Sequence, residues 1–170
     1  MQYHIRPVEV NDAEKLVAYM RALTSEPNIN LPWTPGEFKM TVEEERAFLT
    51  KYLDDPRSCW LVATLGDEIV ASTEMTTYSR SGLRHMSVLG MSVGSAHRGK
   101  GLGDKLLGEL LDWARNEGGI KRIELWVFAR NLPAINLYLK HGFKFEGKRT
   151  AAIIKDGQYL DDYLMGLILQ

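Results

Sequence analysis

The segment from Val93 to Gly103 constrains the fold of this chain more than any other. It follows a strand-like run at 86–93, passes through three alternate glycines and continues into a helix with an apolar stripe. Glycines allow successive backbone N–H groups to converge on one anion, and the positive end of the helix dipole adds to the attraction. No Ser, Thr, Asp or Asn stands at the helix cap, so a bound phosphate would satisfy the first N–H groups of the helix. The segment therefore predicts a phosphate-binding turn.

Two other glycine motifs and a plain flexible turn compete with this interpretation. Gly94, Gly99 and Lys100 have the spacing of a Walker A loop, but Gly101 stands where that loop needs a Ser or Thr for magnesium. A dinucleotide-binding fingerprint needs another spacing, and Asp104 stands where its third glycine should be. Each of these motifs lacks a residue that its chemistry requires. A flexible turn with no ligand stays open as an alternative.

The rest of the chain predicts a mixed order of strands and helices. Strands are expected at 3–8, 59–65, 68–78, 86–93, 121–128, 143–154 and 159–169, and helices at 12–24, 41–53, 102–117 and 131–141. Asn11 and Asp12 offer an N-cap for the first helix, and Thr41 with Glu44 forms a capping box for the second. The Pro-rich segment 25–40 between them is typical of a binding loop or lid. The order is neither all-β nor a simple βαβ alternation.

Composition limits the class of protein. The chain has 170 residues, a net charge of −1 and one cysteine, Cys59, which cannot form an internal disulfide. This length suits a single domain over 1–170, and the free cysteine favours a cytoplasmic location. The near-neutral charge argues against nucleic acid as a partner, and no apolar run is long enough for a membrane helix. The histidines lack metal-ligand spacing, so no metal is expected.

Two segments together carry a family resemblance. Arg98, Gly101 and Gly103 have the spacing Arg-x-x-Gly-x-Gly, and 131–143 reads Asn-x-x-Ala-x-x-x-Tyr-x-x-x-Gly-Phe. In register, they resemble the two signatures of the GCN5-related N-acetyltransferase (GNAT) superfamily. The tail at 156–165 resembles the closing hairpin of its branch with ribosomal-protein and small-molecule acetyltransferases. The resemblance covers essentially the whole chain.

The resemblance implies a fold and an activity. The fold is mixed α/β (α+β), with a central, mostly antiparallel sheet of about seven strands that includes a splayed parallel pair, flanked by about four helices. The activity is acetyl transfer from acetyl-CoA, without a metal, to a primary amine of a small molecule, an amino acid or a peptide or protein N-terminus, by direct attack in a ternary complex. A non-catalytic acyl-CoA-binding or sensing protein on the same scaffold is the alternative. Exposed strand ends are compatible with a homodimer.

The resemblance also implies where acetyl-CoA binds. The pyrophosphate would lie on the glycine turn, mostly against backbone N–H groups, and the pantetheine arm would lie along the preceding strand like an additional strand. A backbone N–H at Val93 or beside it would stabilise the oxyanion. The cofactor-binding residues implied are Met91, Val93, Arg98, Gly99, Lys100, Gly101, Leu102, Gly103, Asp104, Asn131, Ala134 and Tyr138.

The catalytic acid is better defined than the catalytic base. Tyr138 matches the general acid of the family and would protonate the departing thiolate. A base is needed because an alkylamine with a pKa near 10 is about 99.9% protonated at neutral pH. Some family members carry a glutamate where this chain has Ser87. Glu74, His85, Glu124 and a water chain therefore remain the candidates, with Glu74 and His85 the first two.

The Pro-rich segment carries two further open questions. Trp33 either lines the acceptor pocket or pins the loop. Several acidic residues near the loop either attract a cationic amine or form a solvated face; they are Glu26, Glu37, Glu43, Glu44 and Glu45.

Overall fold

Seven strands form one sheet in the computed structural model, which describes residues 2–170. The strands are β1 (His4–Pro7), β2 (Cys59–Leu65), β3 (Glu68–Thr77), β4 (Met86–Val93), β5 (Arg122–Phe128), β6 (Lys144–Lys155) and β7 (Gln158–Ile168). They lie in the order β1-β2-β3-β4-β5-β7-β6. Every neighbouring pair is antiparallel except β4 and β5, which are parallel. The mostly antiparallel sheet with one parallel pair is thus confirmed.

Four α-helices cover the two faces of this sheet. They are α1 (Ala13–Thr24), α2 (Val42–Leu53), α3 (Leu102–Asn116) and α4 (Leu132–Lys140). The apolar stripe of α3 packs with Ile135 of α4 against one face, in a core that includes Leu61, Ile123 and Leu125. On the opposite face α1 and α2 pack over Val62 and Ile69. Successive residues of β2 and β5 face opposite sides, as the alternation of side chains along a strand requires.

The two early helices begin where the sequence predicts, for different reasons. Thr41 and Glu44 form the expected capping box, with Glu44 N–H donating to Thr41 Oγ1 at 3.2 Å and Thr41 N–H donating to Glu44 Oε2 at 2.8 Å. Asp12 precedes α1 but does not cap it with its side chain. Its carboxylate instead accepts two hydrogen bonds from the Arg6 guanidinium and one from Glu9 N–H, closing a short 3₁₀ turn. The Arg6 hydrogen bonds hold the pKa of Asp12 below its usual value.

The ends of the observed strands and α-helices differ from the predicted ones by no more than one residue. The Pro-rich segment 25–40 contains neither helix nor strand. It connects α1 to α2 on the face of the sheet opposite α3 and α4. Its residues Ile29 to Leu31 lie near the carboxyl end of β4. None of the helices between residues 2 and 170 combines the length and the apolar character needed to cross a membrane.

Candidate active site

The parallel strands β4 and β5 separate soon after they meet. Their pairing covers Met86 to Val88 on β4 and ends at Glu124 on β5. Gly94 N–H donates to Val70 O on the β3 side at 2.9 Å. Because backbone groups alternate in direction along an antiparallel ladder, those of Met91 and Val93 point away from β3, into the gap. The carboxyl half of β4 therefore offers an unpaired edge to an extended ligand.

The glycine turn lies directly beyond this edge and needs its glycines. Gly99 and Gly101 have φ values of +70° and +76°, a region that other L-residues enter only with strain. Gly101 caps α3, and the first helical hydrogen bond runs from Lys105 N–H to Gly101 O. Within the described chain, the N–H groups of residues 101–104 make no hydrogen bond to protein. Free N–H groups at a helix N-terminus are the arrangement that attracts an anion.

The charged side chains around the turn are bound to the protein and do not project freely into the cavity. Arg98 donates from Nε to Val93 O at 2.7 Å and from Nη2 to Glu26 Oε2 at 2.5 Å. Lys100 Nζ donates to Ala96 O at 2.7 Å. The Asp104 carboxylate accepts a hydrogen bond from Lys140 and contacts His141 Nε2. The hydrogen bond from Lys140 is the largest contribution to the lowered pKa of Asp104. The free donors of the turn are thus mainly the backbone N–H groups.

A cavity of about 490 Å³ joins the turn to the gap between β4 and β5. Gly103 keeps this junction open, since a Cβ there would lie 3.2 Å from Met91 Cε and 3.5 Å from Leu137 Cδ2. Of the implied cofactor-binding residues, all but Lys100 line the cavity: Met91, Val93, Arg98, Gly99, Gly101, Leu102, Gly103, Asp104, Asn131, Ala134 and Tyr138. An unpaired strand edge, free N–H groups and this volume together fit an extended ligand that ends in a pyrophosphate.

Helix α4 presents three of these residues on one side. The Asn131 side chain caps the helix by accepting a hydrogen bond from Ala134 N–H at 3.4 Å. Ala134 and Tyr138 follow at positions i+3 and i+7 and so lie on the same side. Tyr138 is 7% exposed and packs against Phe143 with ring centroids 5.7 Å apart. Its hydroxyl makes no hydrogen bond to protein in residues 2–170.

The environment of Tyr138 keeps it protonated. Burial raises its pKa to about 12, and the negative charge of Glu74 contributes to the rise. Because Glu74 lies on β3 and Tyr138 on α4, this interaction crosses the gap from one face of the sheet to the other. The phenol is therefore a proton donor at every physiological pH.

Glu74 lies against the middle of β4. It pairs with Gly90 in the β3–β4 ladder, and a Cβ at Gly90 would overlap the Glu74 carboxylate. In the observed conformation the carboxyl group occupies the space that a Cβ at Gly90 would fill. No protein hydrogen bond reaches that group in the described residues, and burial raises the pKa of Glu74 to about 7. A carboxyl group with this pKa exchanges protons near neutrality, as a general base must.

The other candidate bases occupy different positions. His85 is exposed and precedes β4, five residues from Gly90, or about 17 Å along an extended strand. Ser87 faces the α3 side of the sheet, and its buried Oγ has no hydrogen-bond partner in the described part of the chain. Glu124 is buried and accepts from Tyr78 Oη at 3.1 Å and from Arg122 Nη2 at 3.4 Å. Its carboxylate is thus already bound by protein donors.

Loop 25–40 forms one wall of the cavity. The sequence predicted a binding loop or lid here but did not identify which of its residues line the cavity. Ile29, Asn30 and Leu31 line the cavity, whereas Trp33 does not. Trp33 packs edge-on against Phe38 with ring centroids 5.9 Å apart, so this contact joins two parts of the same loop. The residues of this wall carry no motif, and only the general expectation of a binding loop signals them.

The acidic residues near the loop do not form one solvated face. Glu26 accepts Ser95 N–H at 2.8 Å as well as the Arg98 guanidinium, and so ties the end of α1 to the glycine turn. Glu45 is buried on α2, where burial raises its pKa. Glu37 and Glu44 bind Thr34 and Thr41 within their own segments.

Two further questions raised by the sequence concern Cys59 and metal binding. Cys59 is buried, and burial raises its pKa to about 12, so the thiol stays protonated and packs in the core. No group of three or more His, Cys, Asp or Glu side chains within residues 2–170 is arranged to hold a metal ion.

Comparisons with known proteins agree with this geometry. Residues 13–143 match the model of the Acetyltransferase (GNAT) family. The chain is similar to the L-amino acid N-acetyltransferase AaaT of Escherichia coli, with 31% identity over 115 residues that cover 68% of this chain and 71% of that protein.

Solved structures extend the likeness over the whole chain. An acetyltransferase of the GNAT family from Streptococcus pneumoniae has a TM-score of 0.93 and 31% identity, covering 99% of this chain and 100% of that one. The fold is also similar to that of yncA from Salmonella typhimurium, solved with its cofactor acetyl-CoA, at a TM-score of 0.86 and 22% identity over 100% and 95% of the two chains.

Proposed function

The chain belongs to the acetyltransferase (GNAT) family, and from this premise we propose that it transfers the acetyl group of acetyl-CoA to a primary amine within a ternary complex. The observation that carries the proposal is the half-buried carboxyl group of Glu74, which lies against Gly90 on the strand that borders the gap and whose pKa desolvation raises to about 7. The printed name of the Escherichia coli relative, an L-amino acid N-acetyltransferase, supports an amine acceptor. The proposed catalytic residues Glu74 and Tyr138 come from the two faces of one sheet, which supports a single domain over residues 1–170.

The proposed binding of acetyl-CoA uses backbone groups more than side chains. The N–H groups of residues 101–104 would hold the pyrophosphate, and the free edge of β4 at Met91 and Val93 would hold the amide groups of the pantetheine arm. Asn131 and Ala134 would border that arm on the α4 side. Acetyl-CoA supplies an activated thioester carbonyl and a thiolate leaving group.

Glu74 is the proposed general base. An amine that reaches the gap from the side of α1 and loop 25–40 meets the Glu74 carboxylate on the same face of the sheet. Because its pKa of about 7 lies near ambient pH, the carboxylate form is available and still basic enough to accept a proton. The distance of His85 from the gap and the engagement of Glu124 with Tyr78 and Arg122 favour Glu74 over both.

Tyr138 is the proposed general acid. Its hydroxyl lies on the other side of the gap and carries a proton throughout the neutral range, since its pKa is about 12. The buried environment that raises this pKa also destabilises a thiolate placed there and so raises its affinity for a proton. Tyr138 would therefore donate its proton as charge develops on sulfur.

The acetyl oxygen needs a donor as it gains negative charge. The N–H groups of Met91 and Val93 point into the gap on the edge that β5 leaves free. A backbone N–H fixed in a strand needs no reorganisation when charge develops, which is the property of an oxyanion hole.

An amine panel tests the proposed function. The purified protein is mixed with acetyl-CoA and with amino acids, other small primary amines or N-terminal peptides, and thiol release is followed together with the mass of the product. We expect thiol release that depends on the amine, and a product heavier by one acetyl group on nitrogen. Binding of acetyl-CoA without thiol release for any primary amine would instead support a non-catalytic acyl-CoA-binding protein.

A further inference from the structure

We infer that Lys155, the last residue of β6, is a positioning residue that shapes the acceptor side of the cavity by holding the backbone of loop 25–40. This inference rests on the proposed function for the nature of the acceptor. It concerns how the wall of the cavity keeps its form, and Lys155 itself lies outside the cavity lining.

The contacts of Lys155 are unusual for a lysine. The residue is only 6% exposed, and its Nζ donates to Ile29 O at 2.6 Å, Leu31 O at 3.0 Å and Trp33 O at 3.3 Å. An ammonium group has three protons, and three loop carbonyls accept them. No carboxylate within the described residues forms an ion pair with it. A buried charge is retained only where its hydrogen bonds are made, and here the loop backbone makes them all.

The residues that Lys155 holds include those that form the cavity wall. The accepting carbonyls belong to every second residue of the loop, so the chain runs over the ammonium group with these carbonyls on one side. Ile29 and Leu31 line the cavity together with Asn30 between them. Asn30 Oδ1 accepts a second long-range hydrogen bond, from Arg130 Nε at 2.8 Å. The middle of the loop thus depends on residues 100 to 126 positions away in the sequence.

The packing of the molecule confines this role to the acceptor side. Helices α1 and α2 are held to the sheet by a core that includes Leu16, Leu23 and Leu49, and Ile29 and Leu31 of the loop pack at the edge of the same core. The cofactor side depends on the glycine turn and α4, which Lys155 does not touch. Loss of the ammonium group should therefore release the loop while leaving the acetyl-CoA site in place.

The test compares Lys155→Met with Lys144→Met, a matched change of an exposed lysine on the same strand. Three quantities are measured: kcat and KM for the best amine, the Kd of acetyl-CoA by calorimetry, and hydrogen exchange of the amides at 28–34. In Lys155→Met we expect the amine KM to rise about tenfold, with kcat and the acetyl-CoA Kd within about twofold of wild type. Amide exchange at 28–34 should become faster. Lys144→Met should match wild type in all three.

A conservative variant guards against a folding defect. Lys155→Arg retains the charge and the donors, so we expect it to recover most of the amine KM and of the exchange protection. An unchanged amine KM in Lys155→Met, or a parallel loss of acetyl-CoA affinity and kcat, would overturn the inference. If the wild type acetylates no amine, the proposed acceptor class fails separately, and exchange alone decides the role of Lys155. Unchanged exchange would then overturn that role, and faster exchange at 28–34 only would support it.

Discussion

The two halves of the cavity are built in different ways. The proposed cofactor half is formed by consecutive residues, because Gly99, Gly101 and the first turn of α3 bring the proposed anion-binding N–H groups together within one short segment. The acceptor side is built from distant parts of the chain: loop 25–40 lines the cavity, Lys155 at the end of β6 holds that loop, and Glu74 of β3 lies against Gly90 of β4. Backbone recognition of an anion can thus be encoded locally, whereas the shape of an acceptor pocket depends on the tertiary structure.

The electrostatics of the two halves differ as well. Around the glycine turn the side-chain charges are paired, Arg98 with Glu26 and Asp104 with Lys140, so partial charges of the backbone remain for the ligand. On the acceptor side Glu74 is half-buried and has no hydrogen-bond donor among the described residues, and desolvation raises the pKa of its carboxyl group to about 7. The first arrangement suits stable anion binding, and the second suits proton transfer.

The largest expected effect tests the cofactor half alone. Gly101→Asp introduces a carboxylate at the N-terminus of α3, where a bound pyrophosphate would carry like charge. We expect at least about a hundredfold weaker acetyl-CoA binding by calorimetry, since close like charges cost several kcal/mol.

Two controls separate charge from backbone strain at this position. Gly101→Ala has the same positive φ and no charge, and a Cβ there meets no atom within 4 Å, so its affinity should fall less. Gly66→Asp introduces aspartate at another positive-φ glycine with open space, in the β2–β3 turn, and should leave affinity unchanged. Full acetyl-CoA affinity in Gly101→Asp would contradict the anion site.

The second effect concerns the acceptor half. Glu74→Gln retains the shape of the side chain and removes the base, so we expect kcat to fall by about a hundredfold or more at pH 7.5. The acetyl-CoA Kd should stay near that of wild type, because Glu74 lies on the opposite face of the sheet from α3. His85→Gln is the matched comparison and should retain activity. Equal kcat values for wild type and Glu74→Gln would exclude Glu74 as the base.

The third effect links the two halves. Tyr138→Phe removes the hydroxyl and leaves the ring packed on Phe143, so we expect kcat to fall by about ten- to a hundredfold with little change in acetyl-CoA affinity. The measurement is turnover across the pH range together with calorimetry. Unaltered turnover at every pH would remove Tyr138 as the acid.

The smallest effect tests whether side-chain charge matters at the glycine turn. Lys100 donates to Ala96 O and does not line the cavity, so Lys100→Met should weaken acetyl-CoA binding by no more than about threefold at moderate salt. A loss comparable to that of Gly101→Asp would mean that the lysine side chain, rather than the backbone, holds the phosphates.

The local geometry of the proposed cofactor half could be predicted from the sequence because its determinants are local. The alternate glycines, the uncapped start of α3 and the Asn131 cap of α4 are visible as spacings, and the family resemblance implied the sheet with its parallel pair. The resemblance also pointed to Tyr138, which lines the cavity. Even here, the binding of Arg98 to Glu26 required the folded chain, since the two residues are 72 positions apart.

The acceptor half was less predictable for a physical reason. The pKa of Glu74 depends on burial beside Gly90, and neither the burial nor the pairing across two strands appears in a local pattern. The sequence left Glu74, His85, Glu124 and a water chain as alternatives. Lys155 carried no signal, because the three carbonyls that it binds lie more than 120 positions earlier in the chain.

The pH dependence of turnover in wild type and Glu74→Gln tests the central claim most directly. Burial raises the pKa of Glu74 from 4.5 to about 7, so the carboxylate base forms only as the pH rises through that value. With saturating amine and acetyl-CoA, kcat of the wild type should rise with a midpoint near pH 7. In Glu74→Gln that limb should be absent, with activity rising only toward the pKa of the amine, about 10. The same midpoint near 7 in both proteins would contradict the account.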